Sequence, residues 1–163
     1  MKKLFAAGIL GITLTGCATY QPVPQGYAGP TATVVDTGVS EDGTKAQLFA
    51  LVAIDDNKVA NAFGASAIAS HGRGASLTTV FPERSVQAKP MKVTLRGSHA
   101  TGAPIHAMAS QMAGTFFSVE GTVEFSPQEN RKYRVRGELK KEKSSVWIED
   151  ADTGKPATAV ISK

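Results

Sequence analysis

One thiol, three imidazoles and a dense run of cationic side chains are the residues of this chain whose chemistry goes beyond packing. Cys17 is the only cysteine, so no disulfide can form within the chain. His71, His99 and His106, with a water, would make the donor set of a catalytic zinc site. Their spacing argues against it. No two stand at a short metal-ligand interval, and Gly102 and Pro104 interrupt the stretch from His99 to His106, which denies that pair a common helix face. Loop histidines bonded to backbone or water account for them more simply, and no metal is expected.

The loop "ASHGRGAS" (69–76) sets Gly72 and Gly74 around Arg73. Glycines there permit positive φ and a nest of amide donors, so His71 and Arg73 would grip a phosphate or carboxylate. A wide turn between strands explains the same residues. Arg131, Lys132, Arg134, Arg136, Lys140, Lys141 and Lys143 form the one dense basic run, and alternation puts Arg134 and Arg136 on a face with Lys132. That strip would meet lipopolysaccharide or anionic headgroups, over a Debye length of roughly 8 Å. The plainer reading is an edge strand guarded by charge against strand addition, with Glu129, Glu138 and Glu142 neutralising part of it. "EDADTG" (149–154) echoes a calcium loop but lacks its third acidic ligand and terminal Glu, so a turn is expected. No Gly-x-Ser-x-Gly elbow, phosphate loop or dinucleotide fingerprint occurs. No catalytic residue is assigned, and the chain is read as a non-enzyme.

The amino terminus gives Cys17 its role. Lys2 and Lys3 precede the apolar stretch "LFAAGILGITLTG", in the order of a secretory leader. That stretch is short of the roughly 20 residues a membrane helix needs. "LTGC" (Leu14 to Cys17) resembles the bacterial lipobox. The resemblance implies cleavage between Gly16 and Cys17, a diacylglyceryl group on the Cys17 sulfur and an N-acyl chain on its amino group. Those lipids are covalent; no separate cofactor is expected. Acyl burial at about 0.8 kcal/mol per CH₂ makes two or three chains a durable anchor. Ala18 stands where an Asp would resemble the inner-membrane retention signal, which implies the outer membrane.

Loss of residues 1–16 leaves 147 residues, one domain's worth. Lys2 and Lys3 leave with the leader, so 18 basic residues against 14 acidic become 16 against 14, a net charge of +2. Nucleic acid is excluded as a partner on charge and compartment. Three prolines and two glycines in "ATYQPVPQGYAGP" (18–30) make that span a tether, on which Tyr20 and Tyr27 rest at the membrane interface or on the domain's flank.

The remainder, 31–163, has a period of two. "TATVVD", "KAQLFALVAID", "VAN", "ASLTTVF", "MKVTLRG", "SVEGTVEF", "KYRVRGEL" and "VWIED" read as seven to eight short strands. The last three read as an antiparallel meander, while "KAQLFALVAID", apolar on both parities, reads as a central strand covered on both faces. In "VWIED", Trp147 alternates with Val146 and Ile148, leaving open which set is inside. "APIHAMASQMAG" places Ile105, Met108 and Met112 at helical spacing, with Pro104 as a start and Gly114 as a stop, and predicts one short helix across the sandwich end. The expected fold is all-β, an antiparallel sandwich of immunoglobulin-like or transthyretin-like type.

Together "QGYAGP", "SHGRG", "APIHAM", "VEGTVEFSP", "YRVRGEL" and "VWIED" resemble a group of uncharacterised bacterial lipoproteins with small β-sandwich domains. That resemblance implies fold and envelope location but no activity. The expectation is a lipid-anchored, periplasm-facing outer-membrane lipoprotein that binds an envelope protein, cell-wall glycan or lipopolysaccharide. An inhibitor or accessory factor of a cell-wall enzyme or secretion machine, with "SHGRG" as a plug, is the alternative, and a metal-dependent hydrolase a more remote one.

Overall fold

The computed structural model describes residues 20–163. The leader, the Gly16–Cys17 bond and the lipidation expected at Cys17 lie outside the described residues. Alternating side chains drive two sheets together. The first sheet runs in the order β10 (Ile161–Ser162), β9 (Ser145–Asp150), β8 (Lys132–Glu138), β1 (Thr31–Val35), β5 (Glu83–Gln87). The second runs β2 (Thr37–Ser40), β3 (Lys45–Ile54), β6 (Met91–Thr101), β7 (Ser118–Phe125), with the two-residue β4 (Asn57–Lys58) returning along β3. Among the described residues, all strand pairings are antiparallel except β1 with β8. The fold is thus mostly β, in two antiparallel-rich sheets.

Between the sheets lie Val34, Val86, Val135, Val146 and Ile148 from one side and Phe49, Leu51, Val93, Leu95 and Val119 from the other. Phe125 and Tyr133 meet edge to face across the gap at 5.1 Å, a pairing worth about 0.5–1.5 kcal/mol beyond area burial. β3 is buried on both faces, as its composition requires: Ala46, Leu48 and Ala50 are as enclosed as Phe49 and Leu51. Val146 and Ile148 take the interior and leave Trp147 half-buried on the outer face, opposite Arg136.

Several expectations are corrected. The three C-terminal runs are not one meander, because β7 belongs to the second sheet and β8 and β9 to the first. The turn at 126–131 carries the chain between sheets. β8 is not an edge, since β9 and β1 flank it. "VAN" is not a strand but the approach to a second helix, α1 (Ala62–Ser70). Asn61 caps α1 by accepting from the Phe63 and Gly64 amides, and its buried side is the small-residue stripe Ala62, Ser66, Ser70. That stripe also explains why "ASLTTVF" joins no ladder. Ser70 and Ser66 hydroxyls accept from the Thr78 and Val80 amides, both at 2.9 Å, replacing strand partners with helix side chains. β5 begins only at Glu83, after Pro82.

The predicted helix exists as α2 (Pro104–Met112), at the pole where β6 ends. Its apolar stripe is turned the other way: Ile105, Met108 and Met112 are 64, 58 and 88% exposed, while His106, Ala107 and Ser110 are half-buried. Spacing defines a face, not the side on which that face lands. The opposite pole receives the N-terminal segment, where the Pro30 carbonyl accepts from Ala88 N and the Pro22 carbonyl from Gln87 Nε2. Tyr27 folds back on that segment, its hydroxyl donating to the Pro30 carbonyl.

Candidate functional site

Of the sequence candidates, His71 and Arg73 sit together on an exposed loop, where Gly72 and Gly74 hold φ of +75° and +65°. Arg134 and Arg136 sit side by side on the outer face of the first sheet, far along the chain from that loop. Each approaches Glu149 Oε1 through its Nε, at 3.1 and 3.6 Å. Lys132 pairs with Glu83 at 2.7 Å, Lys140 with Glu138 at 2.9 Å, and Arg131 with Asp150 at 2.7 Å. The basic strip is therefore threaded with carboxylates, mostly from neighbouring strands rather than from Glu129 and Glu142. Asp150 organises the "EDADTG" turn by accepting from the Asp152 and Thr153 amides as well as from Arg131. The Thr153 amide is the chief reason its carboxyl lies below the usual range. Burial opposes that shift and Arg131 adds to it.

The three histidines do not share a role. His71 is exposed at the C-cap of α1, and His106 is half-buried on α2. His99 is no loop residue; it is 5% exposed near the end of β6. The Phe117 amide donates to its Nδ1 at 3.0 Å, so in the neutral ring Nε2 carries the proton and donates to Glu41 Oε1 at 2.8 Å. Phe116 and Phe117 flank the ring at 5.6 and 5.7 Å. Burial works to raise the Glu41 carboxyl, but hydrogen bonds from Gln47, His99 and Lys45 outweigh it and hold the group below its ordinary value.

A buried ion pair stitches the two sheets. Asp36, between β1 and β2, is 1% exposed, and Arg84 of β5 grips it with two bonds of 2.8 and 2.6 Å. The same carboxylate accepts from Leu51 N at 3.1 Å and from Ala62 N at 2.8 Å. Four donors fill its acceptor sites, which is the condition for a buried charge to be tolerated.

A groove of about 460 Å³ lies on the outer face of the second sheet. Small side chains of β3 and β6 (Val52, Ala53, Thr94) line it together with the β3–β4 hairpin, α1 and β7. The β3–β6 register slips between Leu51 and Ala53, a bulge that bends the strand beside the groove. Asp55 and Asp56, at φ of +46° and +64°, turn the hairpin, and Asp56 and Lys58 stand on the groove's rim. Arg96 lies over the Phe63 ring at 5.0 Å, with its Nε 3.6 Å from Glu120 Oε2. Strand alternation places Arg96 and Glu120 outward, but nothing in the sequence announces that α1 sets Phe63 beside them. A second hollow, of about 290 Å³, lies between Phe116 and Phe117 and the β8–β9 loop.

Comparison with protein families, with curated proteins and with solved structures finds no match to this chain.

Proposed function

We propose that the chain is a lipid-anchored lipoprotein of the bacterial outer membrane whose β-domain is a non-enzymatic binding module facing the periplasm. The observation that carries this reading is the "LTGC" tetrad closing an apolar leader just ahead of a proline-rich segment. Two features of the fold support it. The segment at 20–30 lies against one pole, and the sheets beyond it form a strand-built body with a groove on its flank. An anchor at Cys17 would turn that pole toward the bilayer and α2 away from it. An immunoglobulin-like or transthyretin-like arrangement belongs to the same proposal, supported by a chain that passes from the first sheet to the second between β1 and β2.

The test is fractionation of cells making the natural chain or Cys17→Ser. The natural protein should sediment with membranes and enter the detergent phase, while the serine variant should not. Identical partitioning of the two would refute the anchor. The plug reading is second, favoured by the exposure of the 71–76 loop. It requires Arg73→Ala to abolish inhibition of the partner enzyme, and an undiminished effect rules it out.

A further inference from the structure

We propose that the groove on the outer face of the second sheet binds short zwitterionic peptides, with a free C-terminal carboxylate on Arg96 and a protonated amine at Glu120 and Asp56. This deepens the binding-module reading and rests on it, but not on the anchor.

Arg96 is the starting point. Its side chain is 47% exposed, and its guanidinium carbon lies 5.0 Å from the centre of the Phe63 ring. Its one ion-pair contact among the described residues is the Nε approach to Glu120 at 3.6 Å, beyond hydrogen-bond length. A guanidinium steadied by an aromatic ring, with no hydrogen bond from its Nη donors among the described residues, is suited to a bidentate carboxylate and loses less rotamer freedom on binding than a free one.

The balance of charge then narrows the ligand. The lining carries two cations, Arg96 and Lys58, and two anions, Asp56 and Glu120. A phosphate or polyanion would meet both carboxylates. A neutral glycan would bring no charge to match any of the four and would displace water from them without replacing it in kind. A molecule with one charge of each sign satisfies the set. Size agrees: about 460 Å³ lies in the range of small-ligand sites, roughly 300–1,000 Å³, and exceeds what one amino acid fills. The small side chains of Val52, Ala53 and Thr94 leave room for a backbone to lie against them and offer no deep apolar pocket, so peptides with small side chains fit best.

The test is titration calorimetry on the full chain in detergent micelles, with tri-alanine as the probe. Three arms accompany it: tri-alanine amide, N-acetyl-tri-alanine and inorganic phosphate. Free tri-alanine should saturate the protein, amidation should weaken binding about tenfold or more, and N-acetylation should weaken it less. Phosphate should not compete. Arg96→Gln should abolish the preference for the free carboxylate, so that acid and amide bind alike. Glu120→Gln together with Asp56→Asn should do the same for the free amine. Urea midpoints of both variants should match the natural protein, separating a lost contact from a lost fold. No saturation by tri-alanine up to roughly 10 mM would overturn the proposal, as would equal binding of acid and amide by the natural protein, or displacement by phosphate. Membrane partitioning of the same preparation reads the anchor separately, so failure of one reading is distinguishable from failure of the other.

Discussion

Replacing Arg84 with methionine would leave the Asp36 carboxylate enclosed at 1% exposure with only the Leu51 and Ala62 amides as partners. Methionine roughly preserves the volume, so little cavity forms and the cost is electrostatic. Breaking a buried pair from one side costs about 3–5 kcal/mol, because the remaining charge has lost its counter-ion and cannot regain water. With a urea slope of roughly 1–3 kcal/mol/M, the midpoint should fall by about 1–5 M at unchanged slope. Asp36→Asn should cost a comparable amount by another route. It places an amide donor where four donors already converge, two from Arg84 and two from the backbone. Arg84→Lys should lie between, since an ammonium keeps the charge but not the two-pronged geometry. Equilibrium urea unfolding followed by tryptophan fluorescence measures all three. A loss under about 1 kcal/mol for Arg84→Met would refute the reasoning, since it would mean that water or a neighbouring group rescues the carboxylate.

Other perturbations test other parts of the fold. Gly137→Ala would place a Cβ 2.5 Å from both the buried Phe49 ring and the Ser145 carbonyl, and should lower stability by about 1–3 kcal/mol in the same unfolding assay. Asn61→Ala removes the α1 cap and should cost about 1 kcal/mol, with faster amide exchange at Phe63 and Gly64. Glu41 is held below its ordinary value near 4.5, so its contribution is fully present above that pH and is lost as pH falls through the lower folded value. Below about pH 4.5, then, the natural protein should lose stability more steeply than Glu41→Gln, and parallel curves would contradict the Gln47–His99–Lys45 network.

How much of this was legible depends on what each element buries. β3, β6, β7 and β8 alternate, or are wholly apolar, because they face a core on one or both sides, and their inward residues follow from the sequence directly. The alternation of β9, by contrast, does not say whether Trp147 or the pair Val146 and Ile148 lies inside. α1 was hidden because its buried stripe is Ala62, Ser66 and Ser70, too small and polar to give a hydrophobic period. "ASLTTVF" has strand composition but spends its amides on those serines, a pairing no local pattern records. The allocation of β7 and β8 to different sheets is likewise long-range, since a turn composition at 126–130 does not say whether the next strand pairs or crosses. At the sites, single residues mislead most. His99 sits in a strand whose alternation is otherwise plain, and its partner Glu41 lies 58 positions away. Asp36 closes an apolar strand without any sign of Arg84. The groove needs a hairpin, a helix and two strands at once, so only its Arg96–Glu120 edge follows from alternation.

The central claim concerns the mature amino terminus, and mass spectrometry of the protein isolated from its membrane tests it most directly. The account predicts a chain beginning at Cys17, heavier than its sequence mass by a diacylglyceryl group and an N-linked acyl chain. A chain retaining Met1 to Gly16, or an unmodified Cys17, would contradict it.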